Sequence, residues 1–440
     1  MTIRRVAVAG AGIVGLSTAW FLQDRGVAVT VVDRTGVAMD ATDPTGHERA
    51  PASTGRERAP ASTGRERASW GNAGWLTPAL TLPLPEPSVL KYGLRAMFNP
   101  SSPVYVPPTL DPKLIRFLAD FARHCTTRHQ MAALEVFAQV NRVALGAYDD
   151  LADGGVAEQT RDADPFLAAF TAETDRDHLL EEFDHVRATG GEVDYEVLDA
   201  EAVHSLEPLL SDKVRAGVRI RGQRFIDPPR FVAALADTVR ARGGEIVTGF
   251  DVSEVRDPGN GVVDVISADG DHVSVDAVVL ATGARLNALA HDFGVRTLVQ
   301  AGRGYSFSVV PDELPKNPVY FPVQRVACTP LHDRFRIAGM MEFRSPDAPL
   351  DPRRIRAIVD TTRPLLRDVD WDDRSEAWVG SRPCTADGLP LIGGTRSPRV
   401  FVAGGHGMWG VALGPLTGRL LAGAMTGHTD PVLRHFDPLR

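Results

Sequence analysis

The chain has 440 residues, 43% hydrophobic and 24% charged, an ordinary soluble composition in a length that exceeds one core and favours two intertwined domains. A net charge of −8 with no Lys/Arg stripe excludes a nucleic-acid footprint. Its three cysteines, Cys125, Cys328 and Cys384, are far apart, with no CxxC pair and no histidine at zinc spacing. That pattern argues against a disulfide framework or a structural metal and points to a reducing compartment.

The opening MTIRRVAVAGAGIVGLSTAWFL places basic residues before an apolar stretch, as a secretory signal does. Glycines punctuate it, however, and Gln23-Asp24-Arg25-Gly26 stops it, so it reads as the start of a domain. Arg5 to Ala9 is a buried-strand pattern, Gly10-Ala11-Gly12-Ile13-Val14-Gly15 follows at once, and a helix closes on Gly26. The next strand, Val27 to Val32, ends at Asp33. A strand, a Gly-rich turn, a helix and a strand ending in an acid form the dinucleotide-binding pattern. Gly10 is expected to make the tight turn, Gly12 to admit a pyrophosphate, and Gly15 to let the helix pack on the strand. The helix N-terminus offers free N–H groups to phosphate, and Asp33 would accept ribose hydroxyls. These glycines do not separate NAD from FAD.

Residues 45–69 then repeat with a period of nine: Thr45 to Ser53 returns as Thr54 to Ser62 and starts again at Thr63. The tract is poor in aromatics and rich in Arg, Glu, Pro, Ser and Thr, so it cannot bury a core of its own. We read it, at about 41–67, as a tandem expansion of a solvated surface loop; a basic lid over the adenosine end of a cofactor is the functional alternative. The Leu/Pro-rich segment 78–110 follows, and no later run reaches the roughly 18 apolar residues of a membrane span. An amphipathic helix is expected over PPRFVAALADTVRARGG, then a strand-like run from Gly243 to near Val252, then a strand over Val273 to Gly283. Near the C-terminus, Val400 to Ala403 leads through Gly404-Gly405-His406-Gly407 into a helix containing Met408 and Gly410. We expect that helix N-terminus to face the electron-rich ring of a flavin.

Taken together, GAGIVG with Asp33, Ser69-Trp70-Gly71-Asn72-Ala73-Gly74, Arg303-Gly304-Tyr305-Ser306, Ser381-Arg382-Pro383-Cys384-Thr385-Ala386-Asp387-Gly388 and GGHG resemble the D-amino-acid oxidase-type FAD oxidoreductases. The resemblance runs nearly end to end apart from the repeat, and is nearest to the small-subunit-type bacterial D-amino-acid dehydrogenases. It implies an α/β fold: a Rossmann-type FAD-binding domain from about 1–90, 205–295 and 375–440, and an antiparallel-sheet substrate domain from 91–204 and 296–374. Asp33 and Ser69 stand 36 positions apart, roughly 25 residues beyond the resembled spacing.

The implied cofactor is noncovalent FAD, since the spacing does not place Cys384 where some related amine oxidases attach it. Its implied contacts are Gly10, Gly12, Ile13, Val14, Gly15, Asp33, Arg34, Ser69, Asn72, Gly74, Leu76, Val252, Ala281, Thr282, Gly283, Arg382, Gly405, His406, Gly407, Met408 and Gly410. The implied reaction is hydride transfer from the α-carbon of a D-amino acid to flavin N5, giving an imino acid that hydrolyses to a 2-oxo acid. Glycine, sarcosine, a cyclic secondary amine such as proline, or a role as an FAD-holding subunit are the alternatives. Arg382 is the expected carboxylate clamp, Tyr305 a candidate substrate contact, and His406 a candidate base or flavin-positioning residue. No metal is expected. The electron acceptor stays open between a quinone, a carrier protein and oxygen. A cytoplasmic location is expected, with peripheral contact at the inner membrane face left open.

Overall fold

The computed structural model describes residues 3–36, 65–89 and 99–440. Most of the repeat, including the expected lid or surface loop, lies outside the described residues; its third copy is described from Arg65 onward.

A six-stranded sheet forms the first half, in the order Glu245–Thr248, Ala28–Asp33, Arg5–Ala9, Ala277–Leu280, Val400–Gly404, Leu391–Gly394. Its first five strands are parallel and the last pair is antiparallel. Side chains of Arg5–Ala9 alternate between two cores. Val6 and Val8 meet the helices Ile13–Asp24, Pro228–Ala241 and Gly410–Met425. Ala7 and Ala9 meet a small antiparallel sheet of Val252–Arg256, Val263–Ser267 and His272–Val275. Helix Ile13–Asp24 is buried nearly all round, because the helix Gly410–Met425 lies against its other side. It ends where Gly26 takes φ +75 and Val27 N–H donates back to the Leu22 carbonyl.

The second half is a larger, mostly antiparallel sheet, in the order Ser375–Thr385, Val299–Val309, Arg334–Phe343, Val326–Leu331, Val319–Phe321, Phe166–Phe170, Ala216–Ile220, Tyr195–Asp199. Val104–Tyr105 adds to Arg334–Phe343. Helix Pro352–Thr362 covers one part of its core and Glu173–Ala188 another. The expected fold class, a Rossmann-type unit plus an antiparallel-sheet unit, is the one observed.

Local expectations differ at three places. The run 273–283 is not one strand: His272–Val275 belongs to the small sheet and Ala277–Leu280 to the parallel one. Asp276 marks the break, its carboxylate accepting the main-chain N–H groups of Arg4 and Arg5 at 2.8 and 2.9 Å. Glu245–Thr248 likewise ends before Gly249, at φ +71, and Val252 starts a strand in the other sheet. Strands Ala216–Ile220 and Ser375–Thr385 hydrogen-bond into the large sheet, although 205–295 and 375–440 would group them with the first half. Ser375–Thr385 runs from one half to the other: it starts beside Val299–Val309, and Cys384 forms a bridge to His406.

Candidate FAD and substrate site

A cavity of about 1480 Å³ lies where the two sheets meet, walled by the Gly10–Val14 turn, Asp33, Asn72, Thr282, His406 and, from the large sheet, Gln300, Arg303 and Arg382. The three glycines of the turn differ in what surrounds them. Gly10 holds φ +114, and a Cβ there would stand 2.5 Å from the Ala281 carbonyl oxygen. At Gly15 a Cβ would stand 1.9 Å from the Gly10 oxygen, so the helix can start against the strand only with glycine. At Gly12 a Cβ would meet nothing within 4 Å. Gly12 is also the N-cap of Ile13–Asp24 and supplies no side-chain cap, which leaves the first-turn N–H groups free at the cavity wall.

Asp33 is heavily engaged. Its Oδ2 accepts from Ala11 N–H at 2.5 Å, and Oδ1 accepts from the Thr35 N–H and hydroxyl, both at 2.8 Å. Arg67 stands 3.0 Å from Oδ1 and donates to the Thr35 carbonyl. A carboxylate offers about four acceptor positions, so Oδ2, with one donor among the described residues, retains acceptor capacity. Arg67 is a cavity residue that the sequence reading missed, because it sits in the repeat; Arg303, read only as part of a resemblance motif, also lines the cavity. The signal for Arg67 was its place two residues before Ser69, where the repeat gives way to SWGNAG.

Ile13, Val14, Arg34, Ser69, Val252, Ala281, Gly283, Gly407, Met408 and Gly410 also line the cavity. Thr282 does too, and its buried hydroxyl has no hydrogen-bond partner among the described residues. Asn72 Oδ1 accepts from Gly74 N–H at 2.8 Å and so shapes the turn. Gly74 itself, at φ +79, is boxed in by the Ile226 carbonyl 2.1 Å from where a Cβ would stand. Gly15, Gly74, Leu76 and Gly405 are absent from the lining and support it from behind, Leu76 as part of the helix core.

His406 lies in the Gly405–Gly407 turn, buried, with Nε2 2.8 Å from the Thr417 hydroxyl. Burial pushes its pKa down to about 4. Burial thus disfavours the imidazolium, and the histidine stands neutral at the cavity wall. Helix Gly410–Met425 begins just beyond, again without a side-chain cap.

The expectation for Tyr305 is corrected. It is fully buried, does not line the cavity, and its hydroxyl donates to Glu342. Strand alternation sets it on the side opposite Gly304, in a cluster with Arg303 and Glu342.

Arg382 does line the cavity, half-buried. Its Nη1 donates to the Met340 carbonyl at 3.0 Å, and no carboxylate lies in ion-pair range among the described residues. Asp387, the nearest candidate in sequence, pairs with Arg440 at 2.7 Å. Burial lowers the Arg382 pKa from its usual value, as expected for a cation short of an anion. Cys384 is buried and its thiol is pushed up to about 12, which keeps it protonated. Among the described residues there is no cluster of three or more His, Cys, Asp or Glu able to hold a metal, and no helix long and apolar enough to cross a membrane.

The family model for FAD dependent oxidoreductases matches residues 5–47 and 56–424, passing over only part of the repeat. The chain belongs to that family. Like other members it is an FAD-dependent oxidoreductase. Among its relatives are proteins named D-amino acid dehydrogenase from Azorhizobium caulinodans, 28% identical over 96% of each chain, and from Cereibacter sphaeroides, 29% identical over 97% of this chain and 93% of the other. Among solved structures, glycine oxidase from Bacillus cereus superposes with a TM-score of 0.68 at 19% identity, covering 98% of this chain and 97% of the other. L-proline dehydrogenase from P. horikoshii does so with 0.64 at 15%, covering 100% and 97%. Those two likenesses concern the fold.

The cavity fits the cofactor on its own terms. The open side of Gly12, the free N–H groups of Ile13–Asp24, the remaining lone pair of Asp33 and the orphaned Thr282 hydroxyl are what a diphosphate and a polyhydroxylated chain require.

Proposed function

We propose that this family member oxidises a D-amino acid to the imino acid, which water hydrolyses to a 2-oxo acid and ammonia. Bound FAD supplies the hydride acceptor. The observation that carries the reading is Arg382: a half-buried guanidinium on the cavity wall with, among the described residues, one carbonyl partner and no facing acid. A guanidinium fork binds a carboxylate through two parallel N–H···O bonds, which an ammonium cannot reproduce. Anchoring the carboxylate fixes the α-carbon, and this chemistry asks mainly for position. No strong base is needed, which suits a site whose histidine is neutral. Relatives named D-amino acid dehydrogenase, at 28–29% identity over nearly the whole chain, support the substrate class.

The test is steady-state turnover with a quinone dye. Arg382→Lys should raise KM by roughly 30-fold or more while altering kcat far less, the loss of one charge-assisted bidentate contact being worth about 2–4 kcal/mol. An unchanged KM would remove Arg382 from the substrate.

A further inference from the structure

Arg382 is held in place by two neighbours that carry no charge. Strand Val299–Val309 has glycine at 302 and 304. A Cβ at Gly304 would stand 2.3 Å from both Cζ and Nη2 of Arg382 and 2.8 Å from Nε. The guanidinium therefore occupies the space that any other residue at 304 would fill. Gly302 makes room for Cys384 Sγ in the same manner, at 2.7 Å. On the neighbouring strand, Tyr305 pairs with Gly339 and Arg303 with Glu342, so Met340 and Met341 together oppose Gly304. This is a bulge, and within it Met340 takes φ +63, a conformation costly for a long side chain. The turned Met340 carbonyl is what receives Arg382 Nη1 at 3.0 Å.

We propose that Gly304 and the Met340 bulge are a positioning device for Arg382. The bulge carbonyl fixes Nη1, Gly304 vacates the side of the fork, and the Nε–Nη2 edge is left to bind the substrate carboxylate. This rests on the reading of Arg382 as the clamp. The backbone strain at Met340 then has a use: an unbulged ladder would pair that carbonyl within the sheet instead of offering it to the arginine.

The test is a double-mutant cycle on the FAD-loaded protein, using Gly304→Ala, Arg382→Ala and the pair. Acetate and benzoate, carboxylates that cannot be oxidised, are titrated while the flavin absorbance is followed, and thermal midpoints and KM are measured alongside. Gly304→Ala should weaken both carboxylates and raise KM by about tenfold or more, with kcat changed less. In the Arg382→Ala background the added methyl group enters vacated space, so it should change carboxylate affinity by less than about twofold. If Gly304→Ala alone folds poorly, the pair should recover its thermal midpoint. The proposal is overturned if Gly304→Ala leaves carboxylate affinity unchanged, if it acts equally in both backgrounds, or if the pair fails to recover. If Arg382→Ala itself leaves carboxylate binding intact, it is the clamp reading that fails, whatever Gly304 does.

Discussion

The Arg67 guanidinium stands 3.0 Å from the Asp33 carboxylate, with both side chains about nine-tenths buried. Asp33 ends a strand of the parallel sheet, and Arg67 belongs to the third copy of the nine-residue repeat. The same copy is pinned to the other half of the molecule: the Arg65 carbonyl accepts from the Trp378 indole, and its guanidinium lies 5.0 Å over the Trp70 ring. Removing one partner of a buried pair costs about 3–5 kcal/mol, less where other donors remain on the survivor. Arg67→Ala should therefore cost about 2 kcal/mol of stability and weaken FAD binding several-fold in a fluorescence titration of the apoprotein. Deleting Thr45 to Ser62 removes two whole copies and keeps Thr63 to Trp70, so FAD affinity should stay within about twofold of the parent. Loss of FAD binding in the deletion, with Arg67→Ala silent, would reverse the assignment.

Gly12 and Gly15 should separate cofactor binding from folding. Gly12→Ala adds a methyl group to open cavity space, so the apoprotein should keep its thermal midpoint while FAD affinity falls about tenfold or more. Gly15→Ala drives a methyl group into the Gly10 carbonyl, and should lower apoprotein stability by about 2 kcal/mol or more. Thermal melts of the two apoproteins check this. Equal losses of stability would show that Gly12 is not at the cofactor surface.

His406 gives a pH dependence with a definite sign. Its folded pKa, about 4, lies below the ordinary value of 6.5. Above pH 6.5 it is neutral folded or unfolded and stability is at its full value. As pH falls from 6.5 to 4, the unfolded imidazole gains a proton that the buried one refuses, and stability drops by roughly 3 kcal/mol. His406→Gln should remove that component. Urea unfolding at pH 7 and 4.5 compares the two proteins; identical losses in both would mean that His406 ionises freely in the fold.

What could be read in the sequence was local. The Gly10–Gly15 turn, its helix and Asp33 were legible because spacing alone sets a strand–turn–helix–strand unit. The motif around Arg382 was legible through resemblance, and the structure puts that side chain on the cavity wall. The break at Asp276 was not legible, since an apolar run does not show where a chain leaves one sheet for another. The partners of Asp276, Arg4 and Arg5, lie 272 and 271 positions before it in the sequence. Tyr305 was misjudged although period-two alternation from Gly304 could have turned it away from Arg382; its partner Glu342 comes from another strand. Arg67 was hidden by repetition: two whole copies and a partial third carry an arginine at the same place, and only the junction of the third with SWGNAG marks the one that meets Asp33.

An anaerobic titration of the purified yellow protein with D-alanine and D-proline, beside L-proline, glycine and sarcosine, tests the central claim most directly. The account predicts that the flavin bands bleach with a D-amino acid and recover faster with a quinone dye than with air. Bleaching with glycine, sarcosine or L-proline alone, or with none of the five, would contradict it.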